Sequence, residues 1–275
     1  MRHKITKYSV YLHGFIYCWC IMEDMHKISV AINTYNSAKY LPEVLDSLKG
    51  FDEVVVCDME STDDTVSIAH AHGCRVVTFP KNDINICEPA RNTAIRSASN
   101  GWVLVLDDDE LVTPPLYKYL YDRVMSDDCP EGLDIPFVNK LMGEFDNHVS
   151  EYHVRFFRRD KVDWPPVIHA RPVVDGRVER VPRKSACILH INDASIADRI
   201  TKLNRYSDNE VPKRALRSYG AAAMLMRPLW FFLKSYLLKG NIRYGRRGIV
   251  RSYFECMYQM ALLAKITEYR MTDSR

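Results

Sequence analysis

Four consecutive acidic residues follow directly on an apolar run in the segment VLVLDDDELV, residues 103–112. Carboxylates repel one another, so such a cluster needs either a cation or free access to water. Because alternate residues of an extended segment point the same way, the side chains of Asp107 and Asp109 can converge. Two carboxylates suit Mg²⁺ or Mn²⁺, which keeps waters and completes its shell with substrate phosphates. The alternative is a solvated loop in which an acid caps the helix expected near Thr113.

The chain before this cluster alternates between strand patterns and helix patterns. Apolar strand-type runs occupy residues 27–36, 52–58, 74–80 and 102–110, and helix patterns occupy residues 40–51, 61–73 and 88–101. Such alternation predicts an α/β fold with a mainly parallel sheet and helices on both faces. Ligands of open sheets of this type bind beyond the carboxyl ends of the strands, where residues 33–36, Asp58 and the acidic cluster all fall. The position of the cluster therefore favours the metal site over the solvated loop.

The second half of the chain has a weaker pattern. Residues 153–164 are typical of a hairpin-like pair of strands, and from Ser195 onward the pattern is helical. We predict an N-terminal extension over residues 1–26, an α/β domain over residues 27–195 with halves at 27–125 and 126–195, and a C-terminal helical region over residues 196–275. Tyr, His and Trp interrupt the basic and apolar start of the chain, so we expect neither a secretory signal nor a spanning helix there.

The composition limits the class of protein and its partners. With 275 residues, of which 47% are hydrophobic and 27% charged, the chain is predicted to be globular. Its formal net charge of +3 is too small to indicate a nucleic-acid partner, and we expect none. The eight cysteines are scattered without zinc-site spacing, so we expect reduced thiols in a cytoplasmic protein.

Four blocks of the sequence together resemble the family 2 glycosyltransferases, which have the GT-A fold. The blocks are ISVAINTYNSAKYLPEVLDSL, VVVCDMESTDDTVSIA, EPARNTAI and WVLVLDDDELVTP. The resemblance is clear over residues 27–125, looser towards the C-terminus, and points to the bacterial branch that builds lipopolysaccharide core and capsular sugars. It implies an inverting glycosyltransferase that moves a sugar, expected to be a hexose, from a nucleotide diphosphate to a glycan or lipid-linked acceptor. It also implies a UDP-sugar donor and a Mn²⁺ or Mg²⁺ cofactor.

The same resemblance implies a role for each matching residue. Donor-binding roles fall on Thr34, Tyr35, Asn36, Asp58, Arg91, Asn92, Asp107 and Asp108, with Asp58 at the base and the Arg-Asn pair at the phosphates and sugar. Asp107 and Asp109 match the outer acids of the metal-binding D-x-D motif, which gives Asp109 a part in catalysis. His190 resembles a late histidine that completes the metal shell. On physical grounds Asp58 is equally well explained as a helix cap, Arg91 as a surface arginine and His190 as a strand-end histidine.

The catalytic base is where the sequence departs from the family. Related enzymes often carry a His-Glu pair after a strand that contains tryptophan, whereas the matching segment here is WPPVIHARP. His169 is therefore present, but Ala170 stands in the place of the glutamate. A histidine ordinarily titrates near neutrality, which makes His169 the candidate base. Glu151 and Asp163 are alternatives.

The C-terminal region combines bulky apolar side chains with only positive charges. There is no Asp or Glu between Val211 and Ser252, and residues 227–251 mix Trp, Phe, Tyr and Leu with Arg and Lys. The longest apolar run, residues 228–233, is too short to span a bilayer. Such a segment either lies on an anionic membrane surface or packs on the catalytic domain with its arginines in solvent. Binding to an anionic membrane surface, taken together with the family resemblance, predicts a cytoplasmic enzyme that is peripheral on the inner face of the membrane.

Two other functions compete with the glycosyltransferase hypothesis. A nucleotidyltransferase also places acids at strand ends around Mg²⁺, but it normally has a glycine-rich phosphate loop near its first strand, and INTYNSAKY contains no glycine. A catalytically degenerate glycosyltransferase that serves as an assembly factor is compatible with Ala170. A test for turnover of a nucleotide sugar distinguishes the hypothesis of an active enzyme from that of an assembly factor.

Overall fold

The computed structural model describes residues 26–82, 86–145, 151–167, 170–182, 186–214 and 218–273. The chain forms two compact units. The first comprises the chain up to Lys140 together with Glu144–Asn192, and the second comprises Leu141–Gly143 together with Asp193–Arg275. Of the predicted N-terminal extension, only residue 26 lies within the described residues.

The first unit begins with alternating strands and helices. The elements are β1 (Ile28–Thr34), α1 (Leu41–Ser47), β2 (Glu53–Asp58), α2 (Thr65–Ala71), β3 (Arg75–Thr78), α3 (Glu88–Ser97), β4 (Trp102–Asp107), β5 (Glu110–Val112) and α4 (Pro114–Val124). Helices α1, α3 and α4 each have proline in the first turn, where its missing N–H has no partner to lose. Gly50 and Gly73 follow α1 and α2 with φ of 106° and 74°, which favours glycine at both positions.

The rest of the first unit contributes β6 (Gly132–Leu141), β7 (Glu144–Phe145), β8 (Glu151–Arg158), β9 (Val162–Asp163), β10 (Val173–Val174), β11 (Val178–Arg180) and β12 (Ile188–His190). The order of the main sheet is β3-β2-β1-β4-β8-β6-β12-β5. Its first four strands are parallel to one another, and β8 is antiparallel to both β4 and β6. The predicted α/β fold with a mainly parallel sheet is confirmed.

Two local predictions within this unit are wrong. The hairpin expected over residues 153–164 does not form, because β8 pairs with β4 and β6 while β9 pairs with β10. The strand expected over residues 102–110 ends at Asp107, and a turn at residues 108–109 precedes β5. The Glu110 side chain folds back across this turn, and its Oε2 accepts a hydrogen bond from the Asp107 backbone N–H at 2.9 Å. Asp107 and Asp109 therefore do not alternate along one strand.

Apolar layers cover both faces of the sheet. On one face Ile32 of β1 and Leu104 of β4 belong to a buried cluster with Leu116 of α4. On the other face Val105 of β4 belongs to a cluster with Ile95 of α3. Every residue of β1 is buried, which explains why the consecutive residues Val30, Ala31 and Ile32 are all apolar and do not alternate with polar ones.

The second unit is helical, as predicted. It contains α5 (Ile196–Arg214), α6 (Ala221–Leu233), a π-helical turn (Lys234–Leu238), a 3₁₀ turn (Asn241–Tyr244) and α7 (Gly245–Asp273). Its small core consists of Val211 of α5 with Leu262 and Ile266 of α7. None of the helices in the described part of the chain is both long and apolar enough to cross a bilayer.

Leu104→Ala is expected to lower the free energy of unfolding of the first unit by about 2–5 kcal/mol, because the fully buried side chain leaves a cavity in the core. Met125→Ala is the control, since Met125 is exposed and its truncation is expected to change that free energy by less than about 0.5 kcal/mol. Urea unfolding followed by circular dichroism measures both. Equal effects of the two substitutions would contradict the assigned core.

Candidate functional site

The carboxyl ends of three neighbouring strands meet at one edge of the sheet. β1 lies between β2 and β4, and the register places Thr34 beside Asp58 and Asn33 beside Asp107. His190 at the end of β12 pairs in register with Glu110 of β5. Polar side chains from separate parts of the sequence are thereby gathered at the edge where a sheet of this type binds ligands.

A pocket of about 410 Å³ opens at this edge. It is lined by Asn33, Thr34, Tyr35, Met59, Lys81, Ile86, Cys87, Asp107, Asp108, Asp109 and His190. The Tyr35 ring is exposed, with Lys81 Nζ 4.3 Å from its centroid. Asn33 is buried, and neither polar atom of its side chain has a hydrogen-bond partner within the described part of the chain. An unpaired buried amide is costly, and that of Asn33 lies in the wall of this pocket.

Asp58 is buried and holds the loops that form the wall of this pocket. Its Oδ1 accepts hydrogen bonds from Thr34 Oγ1 at 3.0 Å and Ser61 Oγ at 2.5 Å, and its Oδ2 accepts one from the Ser61 backbone N–H at 2.8 Å. Asn36, with a φ of 52°, joins the same loops, because its Oδ1 accepts a backbone N–H from the loop after β2 at 2.8 Å. The helix-cap explanation of Asp58 is wrong, since Asp64 occupies the N-cap position of α2.

The Asp107 carboxylate is held between two buried arginines. Arg91 Nη2 of α3 donates to its Oδ1 at 2.6 Å, and Arg155 Nη2 of β8 donates to its Oδ2 at 2.9 Å. Arg155 Nη2 also donates to Oε1 of the buried Glu110 at 3.1 Å. Removal from water raises the pKa of Asp107, but the charges of Arg155 and Arg91 outweigh this effect and hold that pKa well below its usual range. Asp107 is therefore ionised, and each of its oxygens contacts a guanidinium.

The two arginines also pack on aromatic rings. The Arg91 guanidinium lies 4.5 Å from the centroid of the Trp164 ring, and that of Arg155 lies 5.5 Å from the centroid of Phe137. Arg91 is 5% exposed, so its explanation as a surface arginine is wrong. Arg155 was not identified from the sequence. Its signal is a charged residue directly before two phenylalanines, Phe156 and Phe157, in a buried strand.

Asn92 supports this packing instead of facing the pocket. Its Nδ2 donates to Trp164 O and to Asp163 Oδ1, both at 3.0 Å, and its Oδ1 accepts the Trp164 backbone N–H at 3.0 Å. Both ends of the amide are therefore engaged, which leaves Asn92 as a residue that positions Trp164 against Arg91. Its predicted contact with the donor stays a prediction.

Asp109 and His190 form a second pair at the edge. Asp109 Oδ2 lies 3.1 Å from His190 Nε2, and this hydrogen bond raises the pKa of His190. Asp108 lies between the two paired aspartates, and its removal from water raises its pKa to about 6. The three aspartates thus differ in their surroundings: Asp107 contacts two arginines, Asp108 is removed from water, and Asp109 pairs with a histidine.

The Asp109–His190 pair fits a divalent cation better than the predicted pair of Asp107 and Asp109. Two ligands at neighbouring positions of an octahedral shell of about 2.1 Å radius lie about 3 Å apart, close to the separation of this pair. The oxygens of Asp107, in contrast, are occupied by arginines. Among the described residues, no group of three or more His, Cys, Asp or Glu is arranged to hold an ion.

A second cleft of about 830 Å³ shares Cys87 and Asp107 with the smaller pocket. Its other lining residues are Glu88, Arg91, Asp134, Tyr152, His153, Val154, Arg155, Trp164, Ala170, Arg171, Pro172, Val178 and Arg180. His153 Nε2 lies 3.2 Å from Glu151 Oε2, one of the alternative bases. His169, the base predicted from the sequence, lies outside the described residues, so its role stays a prediction.

Solved structures give the class of protein that this fold defines. The mannosyltransferase PcManGT of Pyrobaculum calidifontis, solved in complex with GDP-Man and Mn²⁺, superposes with a TM-score of 0.51. The identity is 16%, and the match covers 90% of this chain and 88% of that one. The fold is therefore that of the GT-A glycosyltransferases.

Sequence comparison gives the family. The family model described as Glycosyl transferase family 2 matches residues 29–171, more than half of the chain, and the chain therefore belongs to this family of glycosyltransferases. It is 26% identical over 272 residues to an uncharacterized glycosyltransferase of Rickettsia felis, covering 89% of this chain and 90% of that protein. It is 24% identical over 260 residues to the lipopolysaccharide core biosynthesis glycosyltransferase LpsC of Rhizobium meliloti, covering 90% and 94%. The family resemblance of the four sequence blocks is confirmed.

Arg155→Met is expected to lower the free energy of unfolding by about 3–5 kcal/mol, because it removes the buried cation that the ionised Asp107 shares with the buried Glu110. Arg158→Met is the matched control on the same strand: this side chain is exposed and pairs with the exposed Asp160, so a loss below about 1 kcal/mol is expected. Urea unfolding of the three proteins makes the comparison. Similar losses for both variants would show that Arg155 does not have this supporting role.

Proposed function

We propose that this enzyme transfers a sugar from a nucleoside diphosphate to a glycan or lipid-linked acceptor, with a divalent cation bound at the strand edge. The observation that carries the proposal is the Asp109–His190 pair beside a pocket containing the unpartnered amide of Asn33. A diphosphate supplies the oxygen ligands that this pair lacks. The family resemblance favours a UDP-sugar as the donor.

The smaller pocket suits the nucleotide part of this donor. Tyr35 offers an exposed ring on which a base can stack, and Lys81 beside it adds a positive charge suited to the diphosphate. Thr34, Asn36 and Asp58 contribute by fixing the loops on either side of Tyr35. In this proposal Asp58 therefore supports base recognition through Thr34 and Ser61 and does not contact the base itself.

The cation would be held by Asp109 and His190. A bound divalent ion stabilises the negative charge that develops on a departing diphosphate. An imidazole ligand favours Mn²⁺ over Mg²⁺, which prefers oxygen ligands, and PcManGT of the same fold was solved with Mn²⁺. Arg91 and Arg155 hold Asp107 ionised and in a fixed position next to this pair, so the local charges need little rearrangement during the reaction.

The larger cleft suits the acceptor, because it adjoins the donor pocket at Cys87 and Asp107. His153 lines this cleft, and the Glu151 carboxylate orients its ring and stabilises the imidazolium that forms when His153 accepts a proton. His153 is therefore the base that the geometry supports, and His169 is the candidate from the sequence. Attack by the deprotonated hydroxyl on the face opposite the diphosphate inverts the configuration of the sugar.

The relation to LpsC supports a role in the synthesis of cell-surface polysaccharide, with lipopolysaccharide core as the first candidate and capsule as the second. The acceptor would then be lipid-linked and reached from the cytoplasm at the inner face of the membrane. In this proposal the enzyme is cytoplasmic and peripheral there. Family membership gives no support to a nucleotidyltransferase, and turnover of a donor would exclude the assembly factor.

Incubation with Mn²⁺ and UDP-, GDP- or dTDP-sugars is expected to release nucleoside diphosphate slowly from one of them. Asp109→Asn and His190→Gln should each lower this rate by at least about 100-fold, because each removes a ligand of the ion. EDTA should abolish the activity and excess Mn²⁺ should restore it. Asp160→Asn, which changes an exposed acid outside both clefts, should have no effect. Unchanged turnover in both site variants, or no turnover with any donor, would refute the proposal.

His153→Gln is expected to lower kcat for transfer by about 10²- to 10⁴-fold, because the acceptor loses its base. Donor binding, followed by thermal shift, should be unchanged. His72→Gln is the control, since His72 lies outside both clefts. If His169→Gln shows these effects and His153→Gln does not, His169 is the base.

A further inference from the structure

The outer side of α6 is apolar and exposed. Leu225, Met226, Leu229, Trp230 and Leu233 are all exposed, with 75% of Leu225 and 55% of Trp230 accessible. At 100° per residue these five positions fall within about 140° of the helix circumference, so they form one continuous surface. Leu237, in the π-helical turn that follows, is also exposed. We call these six residues the apolar face.

The inner side of α6 already has its partners. Pro228 is buried, the Phe232 ring stacks on Tyr253 of α7 with centroids 5.6 Å apart, and Arg227 Nε donates to Gln259 Oε1 at 3.0 Å. The helix is therefore packed through one side, and the apolar face is a separate second surface. An exposed apolar patch of this kind is typical of an interaction site.

The segment that contains the apolar face carries charges of one sign, although its Lys239 pairs with Glu255 of α7 at 2.7 Å. No Asp or Glu occurs between Val211 and Ser252. Lys234, Arg243 and Arg246 are exposed, and none of them forms a salt bridge with a carboxylate in the described part of the chain. Arg247 differs, since its Nη2 donates to Met142 O at 3.3 Å. Of the arginines that the sequence suggested as membrane contacts, Arg243 and Arg246 are thus the two best suited to an external anion.

We propose that the apolar face, with Lys234, Arg243 and Arg246, docks on the surface of an anionic bilayer. Leu and Trp side chains enter the boundary between headgroups and acyl chains, while the cations stay at the level of the anionic headgroups. A second copy of the chain is a poorer occupant, because a two-fold contact through this face would bring like charges together. The proposal deepens the proposed function, since a lipid-linked acceptor requires the enzyme at a membrane.

The test is flotation of the full chain with vesicles of phosphatidylcholine alone or of phosphatidylcholine with phosphatidylglycerol. The wild type is expected to float only with the anionic vesicles. Leu229→Ser with Trp230→Ser should weaken this binding at least about tenfold, because both side chains leave the membrane boundary. Arg243→Glu with Arg246→Glu should weaken it by at least a similar factor and make it insensitive to added salt. Met125→Ser and Lys49→Glu, at exposed sites in the first unit, are the matched controls and should bind like the wild type.

Donor hydrolysis without vesicles separates this proposal from the proposed function. All four variants should retain wild-type hydrolysis, since none changes a residue of either cleft. Absence of flotation by the wild type, or equal flotation by all variants, would overturn the docking proposal even if hydrolysis is normal. Vesicle-independent dimers that Leu229→Ser with Trp230→Ser dissociates would overturn it too, and would identify the apolar face as a contact between copies.

Discussion

Two buried arginine charges impose the constraint on which the site depends. A buried guanidinium is costly unless it is paired, and Arg91 and Arg155 each pair with Asp107 through Nη2. Arg91 Nε, Arg91 Nη1 and Arg155 Nη1 are buried without a hydrogen-bond partner within the described residues, so Asp107 carries most of this requirement. Arg91 belongs to α3 and Arg155 to β8, so the pairing ties a helix and an antiparallel strand to the end of a parallel strand. Trp164 stacks on Arg91 and is itself held by Asn92. Arg91 and Asn92, which match substrate-binding positions of the family, therefore also hold this arrangement together.

The same pairing explains why a strand ends in four acids without being disrupted by their repulsion. Asp107 is neutralised by two arginines, and Glu110 shares one of them and accepts the Asp107 backbone N–H. Removal from water raises the pKa of Asp108 to about 6 and also raises the pKa of Glu110. Asp109 pairs with His190, and these two side chains are together the proposed ligands of a divalent cation. Asp109 is therefore the one acid of the cluster to which we assign metal binding.

The second unit follows a different physical rule. Its helices bury a small core, yet α6 keeps an apolar side in contact with water, and apolar exposure on this scale is unfavourable unless something covers it. The segment that contains this side has no Asp or Glu between Val211 and Ser252, which is equally unusual for a surface that faces only water. The surface of an anionic bilayer would account for both features, because its headgroups are negative and its interior is apolar. A lipid-linked acceptor would lie at such a surface.

The sequence alone determined the alternation of strands and helices, the parallel sheet and the edge at which polar strand ends gather, because these follow from local periodicity and from where apolar runs stop. Family membership followed from the same blocks. Tertiary structure alone decided the partners: Arg155 lies 48 residues from Asp107, and His190 lies 81 residues from Asp109. It also decided that a turn interrupts the acidic strand, and that Asn92 supports Trp164. Pairings of this kind depend on which distant elements meet, and no local pattern contains that information.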